Sequence, residues 1–257
     1  MLEISNVYCG YDGNDVIKNI SINVKKGENL CIVGPNGCGK STFLKAIANI
    51  IEYKGSIKID GREVSSLNRK ELAMKVALLS QISQIHFPYT VYETVALGRY
   101  AYSKGVLSGL DKDDKEIILN SIEIVGLSDI KDKLIDELSG GQLQRVFLAR
   151  TFAQNPDVIL LDEPTNHLDL KYQIELLQHL VNWAKFNNKT VVGVLHDLNL
   201  VHYFGNSVAM LRKGELVSYG KPEFVFEGEK LKSVYGIDIK KFMVEALEKW
   251  RILDKAR

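Results

Sequence analysis

The sequence predicts an α/β fold in which a mainly parallel β-sheet is flanked by helices. Strand and helix patterns alternate near both ends of the 257-residue chain, as they do in proteins built on parallel sheets. The first two strand patterns follow one another directly, which indicates an antiparallel β subdomain at the N-terminus. From about residue 90 to residue 151 the pattern is mostly helical, which indicates a helical subdomain inserted into the sheet domain.

The individual elements are short and are separated by turn signals. Strand patterns occupy residues 2–7, 16–24, 30–33, 55–61 with a turn, 76–79, 158–161, 190–195, 207–211 and 215–219, the last two as a hairpin. Helical patterns occupy residues 41–51, 111–125, 170–186 and most of 230–257. We therefore predict a single domain over residues 1–257, with a helical subdomain at about 85–152 and a C-terminal helical tail at about 230–257.

The composition argues against several classes of protein. The formal net charge is +1, and a near-neutral balance disfavours nucleic acid as the main partner. No apolar run approaches the roughly 20 residues of a membrane span, and the first residues lack the pattern of a secretion signal. The three cysteines, Cys9, Cys31 and Cys38, lack paired spacing, so we expect reduced thiols. Any work at a membrane is then expected to depend on docking to a partner.

A glycine-rich loop follows the strand at residues 30–33. Its sequence G-P-N-G-C-G-K-S, at residues 34–41, matches the phosphate-binding pattern G-x-x-x-x-G-K-[ST] between a strand and a helix. Glycines let backbone N–H groups point at a polyphosphate, and the following helix presents its positive end to the same anion. Lys40 is expected to reach the β- and γ-phosphates of a bound nucleotide, and Ser41 to hold Mg²⁺. The predicted binding residues are Gly34, Pro35, Asn36, Gly37, Cys38, Gly39, Lys40, Ser41 and Thr42.

This loop alone indicates a P-loop (RecA-like) nucleotide-binding fold and leaves kinases, GTPases and motor-like ATPases open. A second acidic site narrows the choice, because the buried strand at residues 158–161 ends in Asp162 and Glu163. We expect Asp162 to bind Mg²⁺ through water from a strand beside the phosphate-loop strand, and Glu163 to orient and deprotonate an attacking water. The sequence contains no N-K-x-D stretch to bind guanine, which argues against a GTPase.

The sequence L-S-G-G-Q at residues 138–142 resembles the signature motif of ABC ATPases. Physically it offers the Ser139 hydroxyl and the backbone N–H groups of Gly140 and Gly141 at the start of a helix, where an anion is favoured. The resemblance implies that residues Ser139, Gly140, Gly141 and Gln142 face the ATP bound by a second copy of the chain. It therefore implies a head-to-tail homodimer with two shared sites.

Further motifs of the same family follow in order. Tyr11 resembles the aromatic residue that stacks on adenine, and His196 resembles the switch histidine that contacts the γ-phosphate. Gln81 resembles the glutamine that touches Mg²⁺ and relays the nucleotide state, although Gln84 lies close by. Asp169 resembles the aspartate that crosses the dimer interface. The resemblance thus implies catalytic roles for Glu163, His196 and Gln81, and metal binding by Ser41, Gln81 and Asp162.

One position departs from the family pattern. Cys38 stands where many members carry serine. A thiol near a helix N-terminus tends to have a lowered pKa, which makes it reactive. We therefore expect that oxidation of Cys38 impedes ATP binding.

The segment at residues 89–102 resembles the corresponding part of importers for iron–siderophore complexes, haem and cobalamin, as do residues 196–200 and 220–222. The resemblance implies an ATP-hydrolysing motor subunit, peripheral on the cytoplasmic side of the cell membrane. Residues 87–102 are the expected contact with polytopic permease subunits, and a solute-binding protein is expected to act indirectly. The sequence does not distinguish iron chelate, haem and cobalamin as cargo.

A second function remains open, a soluble ABC ATPase of a non-transport assembly such as iron–sulfur assembly. Only the segment after Gln81 argues against it. A catalytically inactive regulatory partner is disfavoured because Lys40, Glu163 and His196 are all present.

Overall fold

Two β-sheets form the framework of the protein in a computed structural model, which describes residues 1–80, 88–103, 109–166 and 168–255. The N-terminal sheet is antiparallel, with the strand order β2-β1-β4-β5. Its strands are β1 (Leu2–Tyr11), β2 (Asn14–Val24), β4 (Tyr53–Ile59) and β5 (Arg62–Glu63). The antiparallel N-terminal piece predicted from the sequence is confirmed.

The second sheet has six strands in the order β10-β9-β3-β8-β7-β6. Its strands are β3 (Asn29–Val33), β6 (Val76–Ser80), β7 (Val158–Asp162), β8 (Thr190–Val194), β9 (Ser207–Arg212) and β10 (Glu215–Gly220). All neighbouring strands are parallel except β9 and β10, which form the predicted antiparallel hairpin. The predicted mainly parallel sheet is therefore confirmed, and the carboxyl ends of β3, β7 and β8 lie at one edge of it.

Helices surround the six-stranded sheet. In chain order they are α1 (Lys40–Ile47), α2 (Arg69–Lys75), α3 (Val91–Ala96), α4 (Lys112–Ile124), α5 (Gly140–Gln154), α6 (Leu170–Phe186), α7 (Leu198–Phe204), α8 (Pro222–Val225), α9 (Gly228–Tyr235) and α10 (Ile239–Lys255). Short 3-10 turns lie at Val64–Ser66, Leu97–Tyr102, Ser128–Ile130 and Ile135–Glu137. None of the helices in the described part of the chain combines the length and the apolar character needed to cross a bilayer.

Alternation along the buried strands divides the core into two layers. In β7, Val158 and Leu160 pack toward α1 and the antiparallel sheet, together with residues such as Phe43. Ile159 and Leu161 point to the opposite face and pack with the helices between β6 and β7 and with α6. Because side chains alternate across a strand, a continuous apolar run such as this one supplies both layers.

The first strand is longer than its pattern predicted, since it extends from residue 2 to residue 11 rather than to residue 7. Its pairing with β2 shifts register between Ile4 and Val7 and again on either side of Cys9, and Asn6 has a φ of 50°. Each bulge moves the following side chains to the other face and breaks the strict alternation on which the prediction depended.

The helical subdomain lies between β6 and β7 in the chain and is tied to α5. Within it, buried Arg99 donates from Nε to Asp114 Oδ1 at 2.7 Å, and a second guanidinium nitrogen donates to Ala153 O at 2.9 Å. The ring of Tyr102 lies under the same guanidinium, and 3.7 Å separates the ring centroid from the guanidinium carbon. These contacts join the turn after α3 to the first turn of α4 and to the end of α5.

Candidate functional site

The glycine-rich loop lies between the carboxyl end of β3 and the first turn of α1. Gly34, Gly37 and Gly39 have φ values of 150°, 76° and 103°, which side chains rarely adopt. A Cβ at Gly34 would stand 2.2 Å from Leu211 O, and one at Gly39 would stand 2.7 Å from Ile17 Cδ1. The loop therefore needs glycine at these two positions for both conformation and space.

Lys40 lies under this loop with only 5% of its surface exposed. Its Nζ donates to Gly34 O at 2.9 Å and to Pro35 O at 3.0 Å. An ammonium group has three donors, so one remains for an anion bound in the loop. The pocket at this point, of about 230 Å³, is lined by Val16, Asn36, Gly37, Gly39, Lys40, Ser41, Thr42 and Glu163.

Ser41 and Asp162 are brought together across the sheet edge, where Ser41 Oγ donates to Asp162 Oδ1 at 2.7 Å. The expectation that the strand ending in Asp162 lies beside the phosphate-loop strand is wrong, because β8 lies between β3 and β7. The two side chains still meet because α1 begins above the carboxyl ends of these parallel strands. Sequence spacing alone did not reveal that the strand order places β8 in the middle.

The oxygen atoms of Ser41 and Asp162 fit a Mg²⁺ site whose remaining ligands include a bound nucleotide. The described residues contain no group of three or more His, Cys, Asp or Glu side chains arranged to hold a metal. Mg²⁺ in phosphoryl-transfer sites is typically held by one or two protein oxygens together with phosphate and water oxygens. A hydroxyl and a carboxylate 2.7 Å apart at the mouth of the loop are donors of that kind.

Glu163 extends into the pocket with both carboxylate oxygens in contact with a neighbouring side chain. His196 Nε2 lies 2.6 Å from Oε1, and Asn166 Nδ2 donates to Oε2 at 2.5 Å. The backbone of Glu163 has a φ of 53°, an uncommon conformation for a residue with a side chain. His196 follows β8, the strand between β3 and β7, so this strand supplies the partner of the Glu163 carboxylate.

The contact of Asn166 with Glu163 was missed by the sequence reasoning. The signal is a turn: Asn166 N–H donates to Glu163 O at 3.2 Å, so the two residues are i and i+3 of a turn. Within this turn the side-chain amide of Asn166 reaches the carboxylate of Glu163.

The signature segment, residues 139–142, forms the start of α5 and lies apart from the pocket lining. Ser139 Oγ accepts from Gln142 N at 3.3 Å, and Gln142 Oε1 accepts from Ser139 N at 3.0 Å, which is a capping box. Ser139 and Gly140 are exposed, and a Cβ at Gly140 would meet nothing within 4 Å. The described residues therefore place the start of this segment at the surface.

Two other predicted site residues are not brought to the loop, and a third lies outside the described residues. Tyr11 ends β1 and is 45% exposed, outside the described pocket lining. Asp169 is the N-cap of α6, where its Oδ1 accepts from Tyr172 N at 3.2 Å. Gln81 and the neighbouring Gln84 lie outside the described residues; β6 ends just before them at Ser80, which pairs with Asp162.

The prediction of a reactive thiol at Cys38 is wrong. Cys38 is 5% exposed and belongs to the core layer with Phe43 and Leu160. Burial raises the pKa of Cys38, and the opposing effects of the Lys40 charge and of backbone hydrogen bonds do not overcome it. The side chain points into the core below the loop, so the helix N-terminus does not activate it.

Comparison with known proteins indicates the same family as the sequence motifs do. The sequence profile described as "ABC transporter" matches residues 17–166. The petrobactin import ATP-binding protein YclP of Bacillus subtilis is 38% identical over 240 residues, which cover 93% of this chain and 94% of that protein.

Two solved structures resemble the fold as a whole. A chain of a metal-chelate-type ABC transporter in an inward-facing conformation has a TM-score of 0.81 and 26% identity, covering 92% of this chain and 89% of that one. The ATP-binding cassette MJ0796, a dimer in a post-hydrolysis state bound to ADP and phosphate, has a TM-score of 0.72 and 32% identity. That comparison covers 86% of this chain and 99% of the other.

Proposed function

Because this chain belongs to the ABC transporter family of ATP-binding proteins, we propose that it is the ATP-hydrolysing subunit of an importer for an iron–siderophore complex. The observation that carries the proposal is the convergence of five side chains at one pocket edge: Lys40, Ser41 with Asp162, and Glu163 with His196. The family resemblance predicted from the motifs is confirmed, and with it the α/β fold with an inserted helical subdomain.

The loop residues 34–42 bind the phosphates of ATP in this proposal. Their backbone N–H groups and the positive end of α1 attract the anion, and the remaining donor of Lys40 contacts the β- and γ-phosphates. Ser41 and Asp162 hold Mg²⁺, which when bound neutralises charge on the phosphates. Tyr11 stacks on the adenine from the end of β1. The exposed position of Tyr11 is compatible with that role.

Glu163 acts as the general base toward the attacking water. Both of its carboxylate oxygens are held, by His196 and by Asn166, so the carboxylate is fixed before the water arrives. A fixed base reduces the reorganisation needed in the transition state. His196 also contacts the γ-phosphate. Gln81, which lies outside the described residues, would help to hold Mg²⁺ and would relay the state of the nucleotide.

The catalytic site is completed by a second copy of the chain. The signature segment begins a helix at the surface, with Ser139 and Gly140 exposed and outside the pocket lining, which supports a role toward the partner's ATP. Asp169 approaches the same interface. Two copies related by a two-fold axis then share two ATP molecules. ATP drives this closure because it binds the closed dimer better than the open one.

The closed dimer moves a separate membrane permease, which the helical subdomain contacts on the cytoplasmic face. In the described part of residues 87–102, Tyr100 is 79% exposed and Leu97 is 47% exposed. Exposed large apolar side chains on one segment support a protein contact there. A solute-binding protein delivers the cargo to the permease. The petrobactin import relative favours a ferric siderophore as that cargo over haem or cobalamin.

The proposal is tested by reconstitution. The chain is co-purified with the permease that it retains in detergent, and the complex is placed in liposomes with its solute-binding protein. Ferric siderophore is expected to stimulate ATP hydrolysis and to enter the vesicles, while the Glu163→Gln complex binds ATP without transport. Recovery of only soluble partners, with hydrolysis intact, would instead favour the non-transport assembly ATPase.

A further inference from the structure

The helix that begins at the signature segment is also bonded to the turn that carries Glu163. Gln144 lies on α5, five residues after Ser139, and is only 6% exposed. Its Nε2 donates to Pro164 O at 2.9 Å in a buried hydrogen bond. Pro164 directly follows Glu163 in the chain. One side-chain amide of the helical subdomain therefore holds the backbone next to the proposed base.

The turn of residues 163–166, here called the Glu163 turn, needs external support. Glu163 adopts a φ of 53°, and a left-handed conformation of a residue with a side chain costs about 1–2 kcal/mol. Pro164 is buried, so its carbonyl would lose free energy if it had no donor. The amide of Gln144 supplies this donor. Such a strained conformation persists only where surrounding contacts determine it.

A second glutamine on α5 anchors the other end of the helix. Gln154 Nε2 donates to Ala73 O at 2.7 Å and to Val76 O at 2.9 Å, near the start of β6. Ten residues of helix separate Gln144 from Gln154, which is about 15 Å. Both glutamines bond backbone carbonyls of the sheet domain, but the Gln154 anchor lies away from the Glu163 turn.

We infer that Gln144 is a positioning residue that links the two ATP sites of the dimer. The inference rests on the proposed function, in which the N-terminus of α5 contacts the nucleotide bound by the partner. Gln144 lies about one turn further along the same rigid helix. A displacement of α5 at that contact therefore moves Gln144 as well. Through Pro164 it changes the position of Glu163 in the other site. Gln144 touches no substrate and acts only through this backbone bond.

The test compares two glutamine variants on one helix. Gln144→Met keeps the length of the side chain and removes the amide donor, and Gln154→Met does the same at the other anchor. Gln144→Glu keeps the shape but sets a carboxylate oxygen against the Pro164 carbonyl. For each full-length purified variant the measurements are kcat, the Hill coefficient for ATP, ATP affinity and the melting temperature.

Gln144→Met is expected to lower kcat about 10- to 100-fold, since small misplacements of a catalytic group have effects of this size. The Hill coefficient should fall toward about 1 because the sites no longer influence each other. Gln144→Glu should have at least the same effect on both quantities. Gln154→Met should lower the melting temperature by a similar amount and leave kcat and the Hill coefficient unchanged. ATP affinity should be unchanged in all three, since the phosphate loop is intact.

Three results would overturn the inference. The first is an unchanged kcat and Hill coefficient in folded Gln144→Met. The second is an equal loss in both methionine variants that follows the melting temperature, which indicates a merely structural bond. The third is a wild-type Hill coefficient of about 1, since sites that do not influence each other need no link. Failure of the proposed function is distinguished by Glu163→Gln, which would then retain full hydrolysis in the same assay.

Discussion

The two halves of the proposed nucleotide site differ in how much of their structure one chain supplies. The loop half, residues 34–42 with Asp162, Glu163 and His196, is joined by long-range contacts such as Ser41 to Asp162. The signature half, residues 139–142, is held by its own capping box and is exposed at Ser139 and Gly140. The loop half is thus built before a ligand arrives, whereas the signature half is a surface awaiting one.

This difference explains why a single chain carries two kinds of glycine. Gly34 belongs to the loop half, where a Cβ would meet a backbone oxygen of β9. Gly140 belongs to the signature half, where a Cβ would meet nothing in the same chain. The first glycine is required by the fold itself. The second has no steric reason within the described residues, so its reason lies in what approaches from outside.

The largest expected effect is that of Glu163→Gln in the loop half. Removal of a general base typically lowers the rate 10²- to 10⁴-fold, and we expect about 10³-fold here. ATP binding is retained because the phosphate loop is unchanged, so the ATP-bound dimer should accumulate on a sizing column. Single-turnover hydrolysis measures the first quantity. Wild-type hydrolysis by the variant would remove Glu163 from the role of base.

The next effect is that of Lys40→Ala, which removes the buried ammonium from the loop half. Each charge-assisted hydrogen bond contributes about 1.5–3 kcal/mol, so ATP affinity should fall roughly 10- to 100-fold. Fluorescence titration with an ATP analogue measures this affinity. Lys45→Ala, on the same helix but outside the pocket lining, is the matched control. Equal affinity of Lys40→Ala and wild type would contradict the phosphate-loop assignment.

The comparison is sharpened by a pair of glycine variants. Gly34→Ala should destabilise the fold by more than about 2 kcal/mol, because the new Cβ combines a clash with a disfavoured φ. Gly140→Ala should leave the melting temperature unchanged and lower hydrolysis about 10- to 100-fold, because the added methyl group hinders the close approach of the partner's phosphate to the backbone N–H groups. If Gly140→Ala retains full activity, no phosphate approaches that N–H group.

The sequence predicted which residues belong to the loop half, but it did not predict the order of the strands that carry them. Lys40, Ser41, Asp162 and Glu163 were recognised because each stands at a fixed distance from a strand end. The order of strands could not be predicted in the same way, since β8 lies between β3 and β7 although it follows both of them in the chain. Bulges in β1 were missed because they interrupt the alternation on which a strand prediction depends.

The bonds of Gln144 and Asn166 were missed for a different reason. Neither residue was assigned a chemical role from the sequence, and glutamine in a helix is usually assigned to the solvent face. The relevant fact is that Gln144 is buried, which depends on the packing of α5 against the Glu163 turn. A buried amide needs a partner, so burial identifies such residues once a structure is available.

The smallest expected effect is that of Cys38→Ser in the loop half. Because the Cys38 thiol is buried in the core and burial raises its pKa, it contributes packing rather than chemistry. ATP affinity and kcat should stay within about twofold, while the unfolding free energy falls by about 1 kcal/mol for a hydroxyl buried without a strong partner. Denaturant unfolding and steady-state hydrolysis measure the two quantities. A large loss of ATP affinity at unchanged stability would give the thiol a direct role.

Burial lowers the expected reactivity of all three thiols, including Cys38 in the loop half. Burial raises the pKa of Cys9 to about 11 and that of Cys31 to about 12, and it raises the pKa of Cys38 as well. At pH 8 each group is then mostly in the thiol form, and the thiolate is the form that reacts. Iodoacetamide should therefore label the native chain at least about tenfold more slowly than the urea-unfolded chain. Rapid labelling of native Cys38, with loss of ATP binding, would restore a redox-sensitive phosphate loop. That result would require the loop half to open in solution, and its contacts across β3, β7 and β8 would then be less preformed than they are here.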